Sequence, residues 1–267
     1  MYLINTNKHK HSHPLPPQQR ILGGSLTTID HYPFGAAVLM LFDSNYRQVC
    51  GGTIINNRSI LSAAHCFFNG SPNQFQMRVG SSFASSGGYV HLVSQIINHP
   101  DYNEETLNND ISVLRVSQVF AFGNTIQAGR IPGSNYGLAD NQVVWAIGWG
   151  QTSLTSSPSE QLRHVQIWTI NQDICRNNYG GDTITDNMLC AGYLNVGGRD
   201  SCAQDSGGPL LHNGVAVGVV SFGIGCGDGR FPGVYARVSS YSSWIQANAG
   251  TLSNICFTFI NNCKNLR

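Results

Sequence analysis

The chain has 267 residues, 41% of them apolar and 11% charged, and a formal net charge of +1. A basic stripe of the kind that binds nucleic acid is missing, as is an eighteen-residue apolar run able to span a membrane, so neither partner is expected. Eight cysteines without a Cys-x-x-Cys pair speak against zinc and for dispersed disulfides in an oxidising compartment, with 105 pairings open on spacing alone.

Residues 1–20 are polar and carry Pro14, Pro16 and Pro17, so they cannot bury enough surface to fold. Their apolar stretch, Tyr2-Leu3-Ile4, is too short for a signal peptide, so secretion would place the natural start upstream. His9, His11 and His13 could hold a metal ion, but a solvated segment is the favoured alternative.

From residue 34 onward the pattern is strand, turn, strand. Branched and aromatic residues predict strands over 34–42, 49–55, 77–79, 89–97 and 111–116. A second set covers 142–147, 161–168, 188–191, 209–212, 215–222 and 233–238. Asn213-Gly214 between two apolar runs is a strong hairpin signal. Short helices are expected at 171–179 and 240–248. Periodicity alone says all-β. In the tail, residues 251–267, Cys256 and Cys263 could close a small loop, against an unstructured extension. Asn57-Arg-Ser59 and Asn69-Gly-Ser71 match the glycosylation sequon, and Asn69 is the better placed, in a turn-like stretch.

Three separated segments carry chemistry. Asp200-Ser-Cys-Ala-Gln-Asp-Ser206-Gly-Gly sets a serine between an aspartate and two glycines, Ile60-Leu-Ser-Ala-Ala-His65-Cys66 offers a base, and Asn108-Asn-Asp110 offers a carboxylate. A serine hydroxyl needs such a base and an orienting group to become a nucleophile. Any one segment alone is weak, since Ser and Gly are common in turns. The order His65, Asp110, Ser206, together with Arg20-Ile21-Leu-Gly-Gly24, Gly148-Trp-Gly150 and Pro232-Gly-Val-Tyr-Ala-Arg-Val238, resembles the chymotrypsin/trypsin family of serine proteases over residues 20 to 249.

The resemblance implies two antiparallel six-stranded β-barrels, about 21–125 and 126–240, with the active site between them and a C-terminal helix. It implies that residues 1–20 are a pro-segment removed by cleavage after Arg20, whereupon the α-amino group of Ile21 pairs with Asp205. It further implies His65 as base, Asp110 as its orienting partner, Ser206 as nucleophile, and an oxyanion hole from the backbone N–H groups of Gln204 and Ser206. Asp200 matches the base of the specificity pocket, Gly223 and Gly233 its walls, and Ser201 and Ser221 line it, so cleavage after Arg or Lys is expected. The implied disulfides are Cys50–Cys66, Cys175–Cys190 and Cys202–Cys226.

Some residues depart from the family pattern. Gln204 replaces a nearly universal glycine, which would strain the loop if it keeps a positive φ and would weaken rigid protein inhibitors filling the cleft. Phe222 replaces the usual tryptophan. The loop 80–88, where some relatives hold calcium, has no carboxylate, so neither metal nor other cofactor is expected. From residue 21 onward, twelve basic residues, eleven of them Arg, face fourteen acidic ones. Arg stays charged where Lys begins to neutralise, which suits alkaline surroundings, and the sequence looks like moth gut trypsins; compositional drift is the alternative. The expectation is therefore a secreted, monomeric digestive endopeptidase acting on proteins and peptides. The alternatives are a weakly active or inactive homologue that serves as a binding protein, and a regulatory cascade protease.

Overall fold

The computed structural model describes residues 22–153 and 155–250. In chain order the strands are β1 (Ser25–Leu26), β2 (Gly35–Phe42), β3 (Asn45–Ile54), β4 (Ser59–Ser62), β5 (Phe75–Val79), β6 (Tyr89–Asn98) and β7 (Ser112–Val116). After these come β8 (Val143–Gly148), β9 (Arg163–Thr169), helix α1 (Gln172–Asn178), β10 (Met188–Gly192), β11 (Pro209–His212), β12 (Val215–Phe222), β13 (Gly233–Arg237) and helix α2 (Ser242–Asn248).

Strands β2-β3-β4-β7-β6-β5 close one antiparallel barrel. Strands β9-β10-β13-β12-β11-β8 close a second, because β8 also pairs with β9 from Val143↔Trp168 to Gly148↔Arg163. Period-2 alternation drives the closure. In β5, Phe75, Met77 and Val79 point inward while Gln76 and Arg78 stay half-buried, and β9 repeats the pattern. The expected hairpin is present: Asn213 and Gly214 take φ of 50° and 74°, the left-handed pair that matches strand twist, and β11 pairs with β12 across them.

Two strands fall outside the two predicted sets. β1 has two residues and pairs with β9, so the start of the described chain adds to the second barrel, a long-range pairing invisible to local pattern. β4 is buried at all four positions, because Ile60 faces the first barrel's core and Leu61 the seam between barrels. A strand covered on both faces shows no alternation.

The seam core unites Ile55, Leu61, Ile111 and Val113 with Ile147, Val219, Val238 and, from α2, Ile245. It is the platform on which catalytic-type side chains from both barrels meet. Disulfides Cys50–Cys66, Cys175–Cys190 and Cys202–Cys226 are formed, and no free cysteine occurs among the described residues. Cys256 and Cys263 lie outside the described residues, as do Arg20 and Ile21. No described helix is long and apolar enough to cross a membrane.

Candidate active site

His65 sits on a single 3₁₀ turn, Ala64–Cys66, directly after β4, and the Cys50–Cys66 disulfide ties that turn to β3. Asp110 immediately precedes Ile111 and β7, and is 1% exposed. Its carboxylate takes the His65 ring Nδ1 at 2.7 Å on Oδ2 and the His65 backbone N–H at 2.8 Å on Oδ1. The hydroxyl of Ser221, on β12 of the second barrel, donates to the same Oδ2 at 2.5 Å. The bond at Nδ1 leaves Nε2, on the far side of the ring, as the nitrogen free to exchange a proton.

Ser206 faces the same cleft. The Cys66 sulfur lies 3.8 Å from both His65 Nε2 and the Ser206 carbonyl oxygen, so the two segments flank one disulfide. The Ser206 carbonyl also accepts the Gly51 N–H at 2.7 Å. Among the described residues, the Ser206 hydroxyl makes no hydrogen bond to the imidazole. The grouping of Cys50, Cys66 and His65 is not a metal site, since both sulfurs are committed to the disulfide.

The loop before Ser206 holds its shape through Asp205 N–H to the Cys202 carbonyl (3.0 Å), Gly208 N–H to the Asp205 carbonyl (2.9 Å) and Gln48 Nε2 to the Gln204 carbonyl (2.9 Å). The backbone N–H groups of Gln204 and Ser206 have no acceptor among the described residues, and so remain available as donors. Gln204 does keep a positive φ, +72°, which for a side chain of this size costs about 1–3 kcal/mol. Its side chain lies against a second cavity, about 470 Å³, that Tyr46, Arg47 and Gln48 also line. There its Oε1 is buried without a hydrogen-bond partner.

Asp205 is 1% exposed and accepts N–H groups from Gly150 (2.8 Å) and Cys202 (3.0 Å). A Cβ on Gly148 would fall 2.1 Å from its Oδ1, and one on Gly150 2.5 Å from Oδ2, which explains the glycines of the Gly148-Trp-Gly150 motif. Burial pushes Asp205 up to about 7, against the pull of its two backbone donors. Leu22 sits beside the neighbouring pocket, its carbonyl accepting the Asp200 N–H at 3.1 Å.

That pocket, about 250 Å³, opens at Ser206 and ends at Asp200. Asp200 is 4% exposed; its Oδ2 accepts the Gly227 N–H at 2.9 Å, and its Oδ1 is buried with no partner. Burial raises this carboxyl to about 7. A Cβ on Gly233 would stand 2.8 Å from Oδ1 and close the bottom of the pocket, whereas one on Gly223 would meet nothing nearer than 3.7 Å and would narrow the bore. Ser201 shares a 3.1 Å hydrogen bond with the Tyr235 hydroxyl. Phe222 lines the pocket and packs edge-on to Tyr179 at 6.0 Å.

Sequence reasoning had assigned no role to Gly227, whose contribution is a backbone N–H, or to Tyr235. It had placed Ser221 in the pocket lining without its bond to Asp110. The tyrosine lay inside a motif already singled out, but a backbone donor leaves no mark in side-chain identity.

The Trypsin family profile matches residues 21–245. Trypsin CFT-1 of Choristoneura fumiferana is 57% identical over 235 residues, 87% of this chain and 92% of its own length. Trypsin, alkaline B of Manduca sexta is 55% identical over 234 residues, 86% of this chain and 91% of its own. Achelase-1 of Lonomia achelous is 51% identical over 235 residues, 86% of this chain and 100% of its own. Two barrels, a histidine–aspartate pair flanking the same disulfide as a half-buried serine, and this likeness along most of the sequence agree: the chain belongs to the trypsin family and is a trypsin-like serine endopeptidase, similar to those of moths.

Proposed function

We propose that the protein hydrolyses peptide bonds after Arg or Lys, with Ser206 as nucleophile. His65 takes the hydroxyl proton as Ser206 attacks the carbonyl and returns it to the leaving amine, while Asp110 holds the imidazole tautomer and stabilises its positive charge. The serine–histidine hydrogen bond, not made in the free site, forms when substrate fills the cleft, since catalytic hydrogen bonds commonly reach their working geometry only in the complex. The unpaired N–H groups of Gln204 and Ser206 receive the tetrahedral oxyanion, a term worth about 10²–10³ in rate for each donor.

One observation carries the specificity: a buried carboxylate oxygen, Asp200 Oδ1, stands without a partner at the closed end of a pocket that begins at Ser206. Such a group calls for a cation, and the glycine walls leave room for the stem of an Arg or Lys. Profiling the cleaved bonds of a peptide library tests this directly. Cuts confined to Arg and Lys support it, and cuts after aromatic or aliphatic residues refute it.

The same reading extends to activation and setting. Cleavage after Arg20 frees the Ile21 α-amino group for Asp205, a buried carboxylate whose one-sided surroundings favour an ammonium partner. The enzyme is a secreted digestive protease of alkaline surroundings; three disulfides, an arginine-rich charge set and the alkaline trypsins of Manduca sexta support this. Its partners are protein substrates and protein inhibitors, the latter weakened by the side chain of Gln204.

A further inference from the structure

Asp110 owes its orientation to more than its own three donors. The residue before it, Asn109, has φ of +56°, in the left-handed region that asparagine enters more readily than most side chains. Every polar atom of its carboxamide is used. Nδ2 donates to the Asp101 carbonyl at 2.8 Å, across the base of its own loop. Oδ1 accepts Asn187 Nδ2 at 3.1 Å and the Tyr241 hydroxyl at 3.2 Å, both from beyond the first barrel. Its neighbour Asn108 makes a parallel link, accepting the Thr185 hydroxyl at 2.8 Å. These partners are themselves fixed: the Asn187 carbonyl accepts the Arg237 N–H of β13 at 2.8 Å, and Tyr241 is buried in the seam core.

We propose that Asn109 is a positioning residue for the Asp110–His65 pair: its carboxamide, gripped by Asn187 and Tyr241, makes the docking of the two barrels set the aim of the Asp110 carboxylate. The inference rests on Asp110, His65 and Ser206 acting as assigned above. The mechanism is geometric. The Asp101–Ile111 loop belongs to the first barrel, while Ser221, which binds the same Asp110 oxygen as the imidazole, belongs to the second. Without the Asn109 clamp the loop could shift relative to Ser221, and Asp110 would no longer satisfy both partners at once.

The test uses the processed enzyme and three variants. Asn109→Gly keeps the left-handed backbone and removes the carboxamide; the Asn187→Ala/Tyr241→Phe double variant removes its two remote donors; Asn109→Ala is the comparison. Expected for Asn109→Gly is a kcat lower by roughly 10–100-fold with KM nearly unchanged. The acidic limb of the kcat/KM–pH profile should also move to lower pH, because a misaimed Asp110 holds the protonated imidazole less well. The double variant should reproduce both changes. Of the other groups facing the pair, the phenols of Tyr102 (to about 12) and Tyr241 are pushed above their ordinary range by burial, with the Asp110 charge adding to both, and stay out of the acidic limb; His99, packed on Tyr241 and lowered by burial, is unsubstituted in all three variants. Wild-type kcat and an unmoved acidic limb in Asn109→Gly would overturn the proposal, even with a lower melting temperature. If that variant does not fold, the same result in the double variant overturns it. A wild-type enzyme that a fluorophosphonate does not label would remove the catalytic reading and this inference with it.

Discussion

Ser221 and Asp110 come from different barrels, yet the serine hydroxyl and the His65 imidazole meet on one oxygen of the Asp110 carboxylate. The buried aspartate is thus a junction as well as a partner for the base. Ser221→Ala should lower folding stability by about 1.5–3 kcal/mol, the usual worth of a hydrogen bond to a charged group. Urea denaturation checks this; an unchanged midpoint would show the bond to be energetically idle.

Asp200 and Asp205 both lie above the ordinary carboxylate range, at about 7, because burial penalises their charge. Folding therefore favours their protonated forms. While neither carboxylate holds a cation, the stability they contribute is full below about pH 4 and is lost as pH rises through about 7. A bound amidinium reverses the preference at Asp200, so the affinity of benzamidine should fall by about tenfold for each pH unit below about 7. Calorimetric titration between pH 5 and 9 reads this slope, and a flat profile would show Asp200 already ionised across that range.

Gln204→Gly should stabilise the protein by about 1 kcal/mol, since the +72° backbone suits glycine and the unpartnered Oε1 disappears. A Kunitz-type inhibitor should bind the variant more tightly. Equal inhibition of both forms would show that the side chain stays clear of the bound inhibitor.

The loop that holds calcium in some relatives is closed here by a side chain. Arg78 donates from Nε to the Ala84 carbonyl at 3.0 Å, from Nη2 to the Ser85 carbonyl at 3.0 Å, and from Nη1 to the Gly87 carbonyl. The guanidinium gathers carbonyl oxygens as a metal ion would. Arg78→Gln should loosen residues 80–88, seen as faster amide hydrogen exchange there, and added calcium should not restore protection because the loop offers no carboxylate.

Much of this architecture was legible in the chain itself. Eleven strands showed as branched and aromatic runs, and the Asn213-Gly214 turn announced its hairpin, because these signals are local. β1 did not show, being a two-residue long-range pairing, and β4, buried on both faces, showed only as an apolar run after Asn57 without bounds of its own. Among site residues, His65, Asp110, Ser206 and Asp200 stood inside motifs of mixed and unusual composition. Asn109 stood beside Asp110 in the same motif, but its partners Asn187 and Tyr241 lie 78 and 132 residues away, a connection that only folding reveals.

The central claim is that Ser206 is a nucleophile activated in the cleft between the barrels. Labelling the chain with a fluorophosphonate after cleavage at Arg20, and mapping the adduct by mass spectrometry, tests it most directly. The account predicts one adduct on Ser206, lost in Ser206→Ala and strongly slowed in His65→Ala. A processed wild-type protein that stays unlabelled, or carries the adduct on another residue, would contradict it.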